Sequence, residues 1–412
     1  MPLLPRIINE EIAKHGPIPF ARFMELALYC PECGFYETEK DNVGRGGDFY
    51  TSVSVGPLFG ELLGFQFARW HEAWRMGDCG LQIVEAGAHD GKLAGDILNW
   101  LRRQRPDLLE RTEYCILEPS LRRRAWQRAT LVEFSAQVRW RDDFPNPQSA
   151  IGNPQFTVVF ANELLDALPV RRFGWDAARR QWFEWGVTAG GEQFQWTRLP
   201  AIEPPIARRL PSAPELLEVL PDGCVVEVNE AAERWWRRAA DWLRDGKLVT
   251  CDYGFEDEQM VLAERPQGTI RAYRQHRHVD DVLANPGEQD ITAHVNFARI
   301  EAVGRAAGLT TDRLESQERF LTRIAAEAWQ PAAEFGAWDV RRTRQFQTLT
   351  HPAHLGRSFR VLVQSRATGA LPAIPDSPAR GRRWPPCRPA APATPARWAM
   401  RQFFQWQCIR RV

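Results

Sequence analysis

The sequence has no long apolar segment. None of its 412 residues lies in a run that approaches the roughly 18 uninterrupted apolar residues of a membrane-spanning helix. The first residues include Glu10 and Glu11 and contain no apolar core of signal-peptide length. We therefore expect no membrane partner, and we predict a cytoplasmic protein of a bacterium.

A strong positive charge is absent as well. The formal net charge at pH 7 is +1, and it is unevenly spread. Residues from Arg366 onward carry +8, so the preceding 365 residues carry −7. A mildly acidic body with a short basic tail is not typical of proteins that follow a phosphate backbone. We predict no nucleic-acid partner.

Cysteine is scarce, and only Cys30 and Cys33 of the eight cysteines lie close together in sequence. A C-x-x-C pair is typical of half a zinc site or of a redox motif. The sequence has no second pair at matching spacing, and a helical stretch precedes this one where a redox motif would follow a strand. These observations favour coincidence, and we predict no metal site.

Short apolar runs alternate with helical patterns over residues 81–365, which is typical of a parallel sheet with crossover helices. The predicted strands are 81–86, 114–119, 138–141, 156–162 and 247–254, followed by an antiparallel edge strand at 359–363. We predict an α/β fold with a helical lid over residues 1–80 and a small antiparallel accessory sheet at about 170–226. Residues 366–412 are rich in Pro, Ala and Arg, a composition that predicts disorder.

The loop E-A-G-A-H-D-G at 85–91 joins the first strand to a helix, where open parallel sheets bind their ligands. Gly87 has no Cβ and would let a ligand approach the backbone. Glu118 ends the second strand, where a carboxylate can bind both ribose hydroxyls, and Asp142 or Asp143 would lie near an adenine. A nucleotide without pyrophosphate needs no complete G-x-G-x-x-G sequence, which favours S-adenosylmethionine over NAD. A purely structural turn with solvated carboxylates is the alternative.

Several further motifs occur in a characteristic order along the chain. They include F-M-E-L-A-L-Y-C-P-E-C-G-F-Y-E (23–37), G-D-F-Y-T-S (47–52), I-L-E-P-S (116–120), N-E-L-L-D-A-L-P-V (162–170), C-D-Y-G (251–254) and G-E-Q-D-I-T-A-H-V-N-F (287–297). Over residues 10–365 the chain resembles the MidA-type S-adenosylmethionine-dependent methyltransferases, relatives of a mitochondrial arginine methyltransferase that helps to assemble respiratory complex I. The resemblance implies a class I Rossmann-like fold and a protein substrate, with a respiratory-complex subunit as one candidate. His89 replaces a glycine of the family's cofactor loop, and Asn296 replaces an Asp.

The resemblance and the strand ends together indicate which residues form the site. The predicted cofactor-binding residues are Glu85, Gly87, His89, Gly91, Glu118 and Asp142, with Gly47, Asp48 and Thr51 closing from the lid. Glu163 is predicted to clamp a guanidinium, assisted by Asn162 and Asp166, with Asp290 or His294 as the second wall. The alternatives are that Asn162 caps a helix, that Asp166 is a surface carboxylate, and that G-D-F-Y-T-S forms a structural turn.

Three functions fit these observations. The first is a protein methyltransferase that acts on arginine, which the acidic residues after the fourth strand favour. The second is a methyltransferase for a small molecule, because the fold hosts many acceptors. The third is a binding or assembly protein with weak or lost catalysis, which His89 in the glycine loop would explain. The sequence does not determine the oligomeric state.

Overall fold

A computed structural model describes residues 3–38, 51–74, 79–144, 155–191, 193–256, 261, 265–274, 277–352 and 355–367. Gly47, Asp48 and the predicted tail beyond residue 367 lie outside the described residues. Within the described ranges, no helix is both long enough and apolar enough to cross a bilayer.

Helices connect most of the strands of the described residues. Along the chain they are α1 (Leu3–His15), α2 (Phe20–Tyr29), α3 (Leu58–Ala73), α4 (Lys92–Gln104), α5 (Pro106–Glu110), α6 (Leu121–Thr130), α7 (Pro204–Ala207), α8 (Pro214–Val219), α9 (Glu230–Trp242), α10 (Phe297–Ala306), α11 (Gln317–Ala328) and α12 (Val340–Thr350). The strands are β1 (Ile18–Pro19), β2 (Gly80–Ala86), β3 (Thr112–Leu117), β4 (Val138–Arg141), β5 (Gln155–Asn162), β6 (Arg171–Asp176), β7 (Gln181–Gly190), β8 (Gln193–Arg198), β9 (Val225–Val228), β10 (Gly246–Phe255), β11 (Arg271–Arg274), β12 (Arg277–Val279), β13 (Asp290–Thr292), β14 (Val295–Asn296), β15 (Thr310–Ser316) and β16 (Phe359–Arg366).

The central sheet has the strand order β15-β16-β10-β5-β2-β3-β4. The five strands from β10 to β4 run parallel, and β16 is antiparallel to both of its neighbours. The apolar runs of β2, β3 and β5 form strands because helices cover both faces of the sheet, so most positions along these strands are buried, whereas the marginal strand β4 has two exposed residues. The predicted α/β fold is confirmed.

The prediction that 359–363 forms an edge strand is wrong. β16 pairs with β10 over eight residues, and β15 pairs with its other side. β15 has the sequence T-T-D-R-L-E-S, and its charged residues are typical of an edge strand that must not pair with another molecule. This polar sequence lacks the apolar alternation from which strands are predicted.

Two apolar layers hold the helices on opposite faces of the sheet. Leu81 and Ile83 of β2 pack in one layer with α3, α4 and α11, whereas Val84 and Ala86 pack in the other with α9 and α10. Successive strand residues point to opposite faces, which explains this division. The two layers fix the sheet, and with it the positions of the strand ends.

A second, antiparallel sheet is present, as predicted for the accessory region. Its order is β1-β7-β6-β9, with β8 paired to β7. Ile18 of β1 aligns with Val187 of β7, so the segment between α1 and α2 joins this sheet. Phe20 and Phe23 of α2 pack with Val187 in a separate apolar cluster. The N-terminal helices α1 and α2 are thereby attached to the accessory sheet, near the chain segment that follows β5.

Candidate functional site

A cavity of about 320 Å³ opens at the carboxyl ends of β2, β5 and β10. Its volume is typical of small-molecule sites, and its position is where open parallel sheets bind ligands. Among the sequence-predicted residues, the cavity is lined by Thr51, Glu85, Gly87, His89, Asn162, Glu163, Asp166 and Asp290. The residues that prediction missed in its wall include Tyr29, Phe35, Tyr36, Asp90, Lys92, Arg123 and Tyr253.

The turn between β2 and α4 forms one side of the cavity. Gly87, His89 and Gly91 have φ angles of +78°, +46° and +84°, in the left-handed region that favours glycine. His89 therefore adopts the conformation of the glycine it replaces. Gly91 does not line the cavity, because it precedes α4 and a Cβ there would contact Leu131 at 3.2 Å. Its contribution is to the shape of the turn.

Glu85 is buried at the base of this turn. Its carboxylate accepts a hydrogen bond of 2.7 Å from the Tyr114 hydroxyl. Burial raises the pKa of Glu85 to about 8, and the Tyr114 hydrogen bond only partly offsets that shift. Glu85 lines the cavity at the end of β2, as predicted, and it can accept hydrogen bonds from a ligand or, when protonated, donate one.

Carboxylates from the loop after β5, from β10 and from β13 form the other side. Glu163 and Asp166 line the cavity with Asp290, and Asp252 is fully buried behind them. Asp252 accepts hydrogen bonds from the backbone N–H groups of Leu165 and Asp166 at 2.8 and 3.3 Å. This pairing fixes the loop after β5 against the end of β10.

Burial and crowding raise the pKa values of these acids. The pKa of Glu163 rises to about 8, mainly through burial, although Asn162 donates to its Oε1 at 3.0 Å and the Ser52 amide donates at 3.2 Å. The pKa of Asp252 rises to about 7 through burial, and that of Asp166 rises well above its usual range through burial and the nearby Asp252. A cation that entered the cavity would relieve this repulsion.

Aromatic side chains from the N-terminal segment cover the acidic side. The Tyr36 hydroxyl donates to Asp290 at 2.8 Å, and the Tyr29 hydroxyl donates to the carbonyl of Ala167 at 3.0 Å. The Arg123 guanidinium lies 5.0 Å from the centre of the Tyr36 ring and donates two hydrogen bonds to the Tyr36 carbonyl. Tyr29 and Tyr36 belong to the 23–37 motif, which was the only sequence signal for them.

Two predicted cofactor residues lie behind or outside the cavity. Glu118 is buried and accepts hydrogen bonds from the Ser120 amide at 2.9 Å and from Gln127 at 3.3 Å. It does not line the cavity, whereas Arg123 of the following helix does. Asp142 is exposed and forms an ion pair with Arg124, because β4 ends at the sheet margin with its loop facing solvent. The placement of Asp142 in the cavity is wrong.

His294 does not reach the cavity either, so its proposed role as a second wall is corrected. β13 ends at Thr292, and His294 faces Arg265, with a nitrogen-to-nitrogen distance of 2.7 Å, in a separate space of about 30 Å³. Burial lowers the pKa of His294 to about 4, followed by the influence of Arg265. Of the two candidates for the second wall, Asp290 and His294, only Asp290 lines the cavity.

The C-x-x-C pair has no metal-binding partners in the described ranges. Cys30 and Cys33 are free thiols whose sulfurs lie 3.5 Å apart. No group of three or more His, Cys, Asp or Glu side chains among the described residues could hold a metal ion.

The comparisons with known proteins point to one family. A family model for S-adenosyl-L-methionine-dependent methyltransferases matches residues 62–314. A Burkholderia thailandensis protein, crystallised with S-adenosylhomocysteine, is 33% identical, and the match covers 88% of this chain and 92% of that chain with a TM-score of 0.74. This chain belongs to the S-adenosyl-L-methionine-dependent methyltransferases.

Curated relatives within this methyltransferase family carry a more specific name. The NDUFAF7 homolog of Drosophila melanogaster, a mitochondrial protein arginine methyltransferase, is 28% identical over 87% of this chain and 84% of its own length. The Homo sapiens protein arginine methyltransferase NDUFAF7 is 27% identical over 74% of this chain and 70% of its own length. The Rossmann-like methyltransferase fold and S-adenosylmethionine as cofactor are confirmed predictions.

The residues of the cavity fit the cofactor of this methyltransferase family. Asn162 Oδ1 is buried at the wall and has no hydrogen-bond partner in the part of the chain that the structure describes. An orphaned acceptor beside Glu163 suits a ligand that carries N–H or O–H donors and a positive charge. S-adenosylmethionine has an ammonium, a sulfonium and ribose hydroxyls, and these groups match the chemistry of the wall.

Proposed function

We propose that this methyltransferase modifies an arginine side chain of a protein. The observation that carries the proposal is the charge of the cavity wall: Glu85, Asp90, Glu163, Asp166 and Asp290 face Lys92 and Arg123. Three of the five acids lie together on the side away from the β2–α4 turn. The names of the curated relatives support the same acceptor.

Within this proposal, one side of the cavity would bind the cofactor and the other would bind the arginine side chain. Glu85 and the turn that contains Gly87 and His89 would hold S-adenosylmethionine, which supplies a methyl group from its sulfonium when bound. Glu163 and Asp290 would bind the guanidinium in a bidentate manner and orient one nitrogen. A protonated carboxyl that meets a guanidinium loses its proton, because the cation lowers its pKa. Glu163 would then be ionised and could accept the proton that the nitrogen releases after transfer.

Two further proposals concern the substrate protein and the location of the enzyme in the cell. On the family resemblance, we propose a subunit of a respiratory complex as the substrate. We also propose a cytoplasmic location, and fractionation of the source cells would test it, since the curated relatives are named as mitochondrial.

The decisive variant is Glu163→Gln, which keeps the shape of the side chain and removes its charge. Transfer of labelled methyl groups to an arginine-containing acceptor protein should fall by at least about 100-fold, because the group that orients the nucleophile is lost. Calorimetry should give a dissociation constant for S-adenosylmethionine within about threefold of the wild-type value. The control is Glu110→Gln, which changes an exposed carboxylate at the end of α5.

Each alternative function predicts a different result. Undiminished transfer by Glu163→Gln would remove this residue from the mechanism. Label found only in the small-molecule fraction of a lysate would favour a small-molecule acceptor. Failure of the wild-type protein to bind S-adenosylmethionine in the micromolar range would favour a binding or assembly protein.

A further inference from the structure

A second concave surface adjoins the cavity. It is a groove of about 680 Å³ between residues 54–56 and the first turns of α12, where Val340, Arg341, Arg344 and Gln345 line it. Ser54 lines both this groove and the cavity. We name this surface the α12 groove.

The α12 groove lies a short distance along the chain from the acidic side of the cavity. The Ser52 amide donates to Glu163, and Ser54 follows Ser52 by two residues. Because an extended chain spans at most about 3.5 Å per residue, the groove begins within about 7 Å of that amide. Gln345 fixes the intervening segment, since its Oε1 accepts from the Leu58 amide at 3.3 Å and its amide group fills the space beside Gly56.

The charge of the α12 groove is positive and unpaired. Arg341 and Arg344 are exposed, lie three positions apart on one helix, and form no ion pair with any carboxylate in the described ranges. Their neighbour Arg342 differs, because it forms an ion pair with the buried Glu61 at 3.0 Å. The first turn of α12 contributes Val340 and Arg341 to the groove, while the N-terminus of this helix is capped by Asp339, which accepts from the Arg342 amide at 2.7 Å.

A surface of this kind fits an acidic segment of chain. Val340 exposes 68% of its surface at the groove, which adds an apolar contact beside the two guanidinium groups. Phosphate would also suit two arginines, but the groove is open to solvent and shares the lining residue Ser54 with the cavity, which favours an extended peptide that reaches both.

We propose that the α12 groove binds acidic residues that flank the target arginine of the protein substrate. This inference rests on the proposed function and adds a sequence preference to it. The substrate would place its arginine among Glu163, Asp166 and Asp290 and lay a neighbouring Asp or Glu across Arg341 and Arg344. The methyltransferase would thus recognise alternating charge, with an acidic cavity for the arginine and a basic groove for its neighbours.

The test measures binding of fluorescein-labelled peptides of 15 residues with a central arginine. One peptide carries two Glu within five positions of that arginine, and a second carries Gln at the same places. At low ionic strength, wild-type protein should bind the Glu peptide about tenfold more tightly, and the difference should shrink in 0.5 M salt. The double variant R341E/R344E should bind both peptides equally. The control R208E/R234E changes two exposed arginines, the second of them on α9 across the sheet, and should keep the preference.

Two further measurements separate the possible failures. Equal affinity of the wild-type protein for the Glu and Gln peptides, or an undiminished preference in R341E/R344E, would overturn the groove proposal. A third peptide, with Ala in place of the central arginine and both Glu retained, should still bind more weakly to R341E/R344E than to wild type. Absence of methyl transfer to the arginine peptide, with these binding differences intact, would contradict arginine methylation and leave the groove in place. Equal thermal midpoints of both double variants would show that both fold.

Discussion

On the side of β2 the cavity is shaped by a turn with three positive φ angles, whereas on the side of β5 it is shaped by clustered carboxylates, although Glu163 there also has a positive φ angle, of +52°. Gly87, His89 and Gly91 form the first side through positive φ angles, and Glu85 is the carboxylate buried at its base. Glu163, Asp166 and Asp290 form the second side. Glu163 accepts hydrogen bonds from the Ser52 amide and from Asn162, and Asp290 accepts one from the Tyr36 hydroxyl. Substitutions should therefore act on the first side through geometry and on the second through protonation.

The largest effect that tests this contrast is expected for Gly91→Ala. An alanine at φ +84° costs about 1–2 kcal/mol, and its Cβ would lie 3.2 Å from a methyl group of Leu131, so that side chain must give by a few tenths of an ångström. We expect the affinity for S-adenosylmethionine to fall by about tenfold in calorimetric titration. Gly95→Ala is the matched control on the same helix, because its Cβ would meet Leu131 at an ordinary 3.6 Å. An equal loss in both variants would show that the φ angle is not the cause.

A smaller effect is expected for the stability of the ligand-free protein with Glu163→Gln. The folded chain raises the pKa of Glu163 from 4.5 to about 8. The stabilisation from this proton is complete below pH 4.5 and is lost as the pH rises through 8. The thermal midpoint of Glu163→Gln should therefore exceed that of the wild type by a growing margin, reaching a few degrees at pH 9. A margin that stays constant from pH 5 to pH 9 would contradict the raised pKa, and Glu110→Gln should show none.

The smallest effect is expected for His89→Gly. Glycine adopts φ +46° without the cost that histidine bears, so cofactor affinity should rise slightly or stay within about threefold. The imidazole also lines the cavity and could contact the cofactor. The sign of the affinity change, measured by calorimetry, shows whether the cost of the φ angle or this contact is larger. Weaker binding in His89→Gly would identify His89 as a contact residue for the cofactor. His89→Asn, which retains tolerance of this φ angle, is the companion variant.

The parallel strands and their carboxyl ends could be predicted from the sequence because both follow from burial. Continuous apolar runs such as that of β5 must lie between two layers of helices, and the ends of parallel strands meet at one edge of the sheet. That reasoning led to Glu85 and Glu163. The same reasoning placed Asp142 near the adenine, and it failed there because nothing in the local sequence reveals that β4 ends beside solvent and Arg124.

The residues that cover the acidic side of the cavity, such as Tyr36 and Arg123, could not be predicted from the sequence in the same way. Tyr36 and Arg123 meet across 87 positions of the sequence, and their contact depends on how the segment after α2 crosses the strand ends. His294 and Asp290 are four residues apart, and only the end of β13 at Thr292 decides which one faces the cavity. Such choices depend on tertiary packing and leave no periodic pattern in the sequence.

The pairing of β16 has a consequence for biosynthesis. This strand, residues 359–366, lies between β10 and β15, although it is formed by the last segment that the central sheet incorporates. Chains emerge from the ribosome N-terminus first, so residues 246–253 of β10 must wait for more than a hundred residues before their antiparallel neighbour is made. The sheet edge that later supports Asp252 is exposed during that interval, and nascent chains halted before residue 359 should depend on chaperones to avoid pairing with one another.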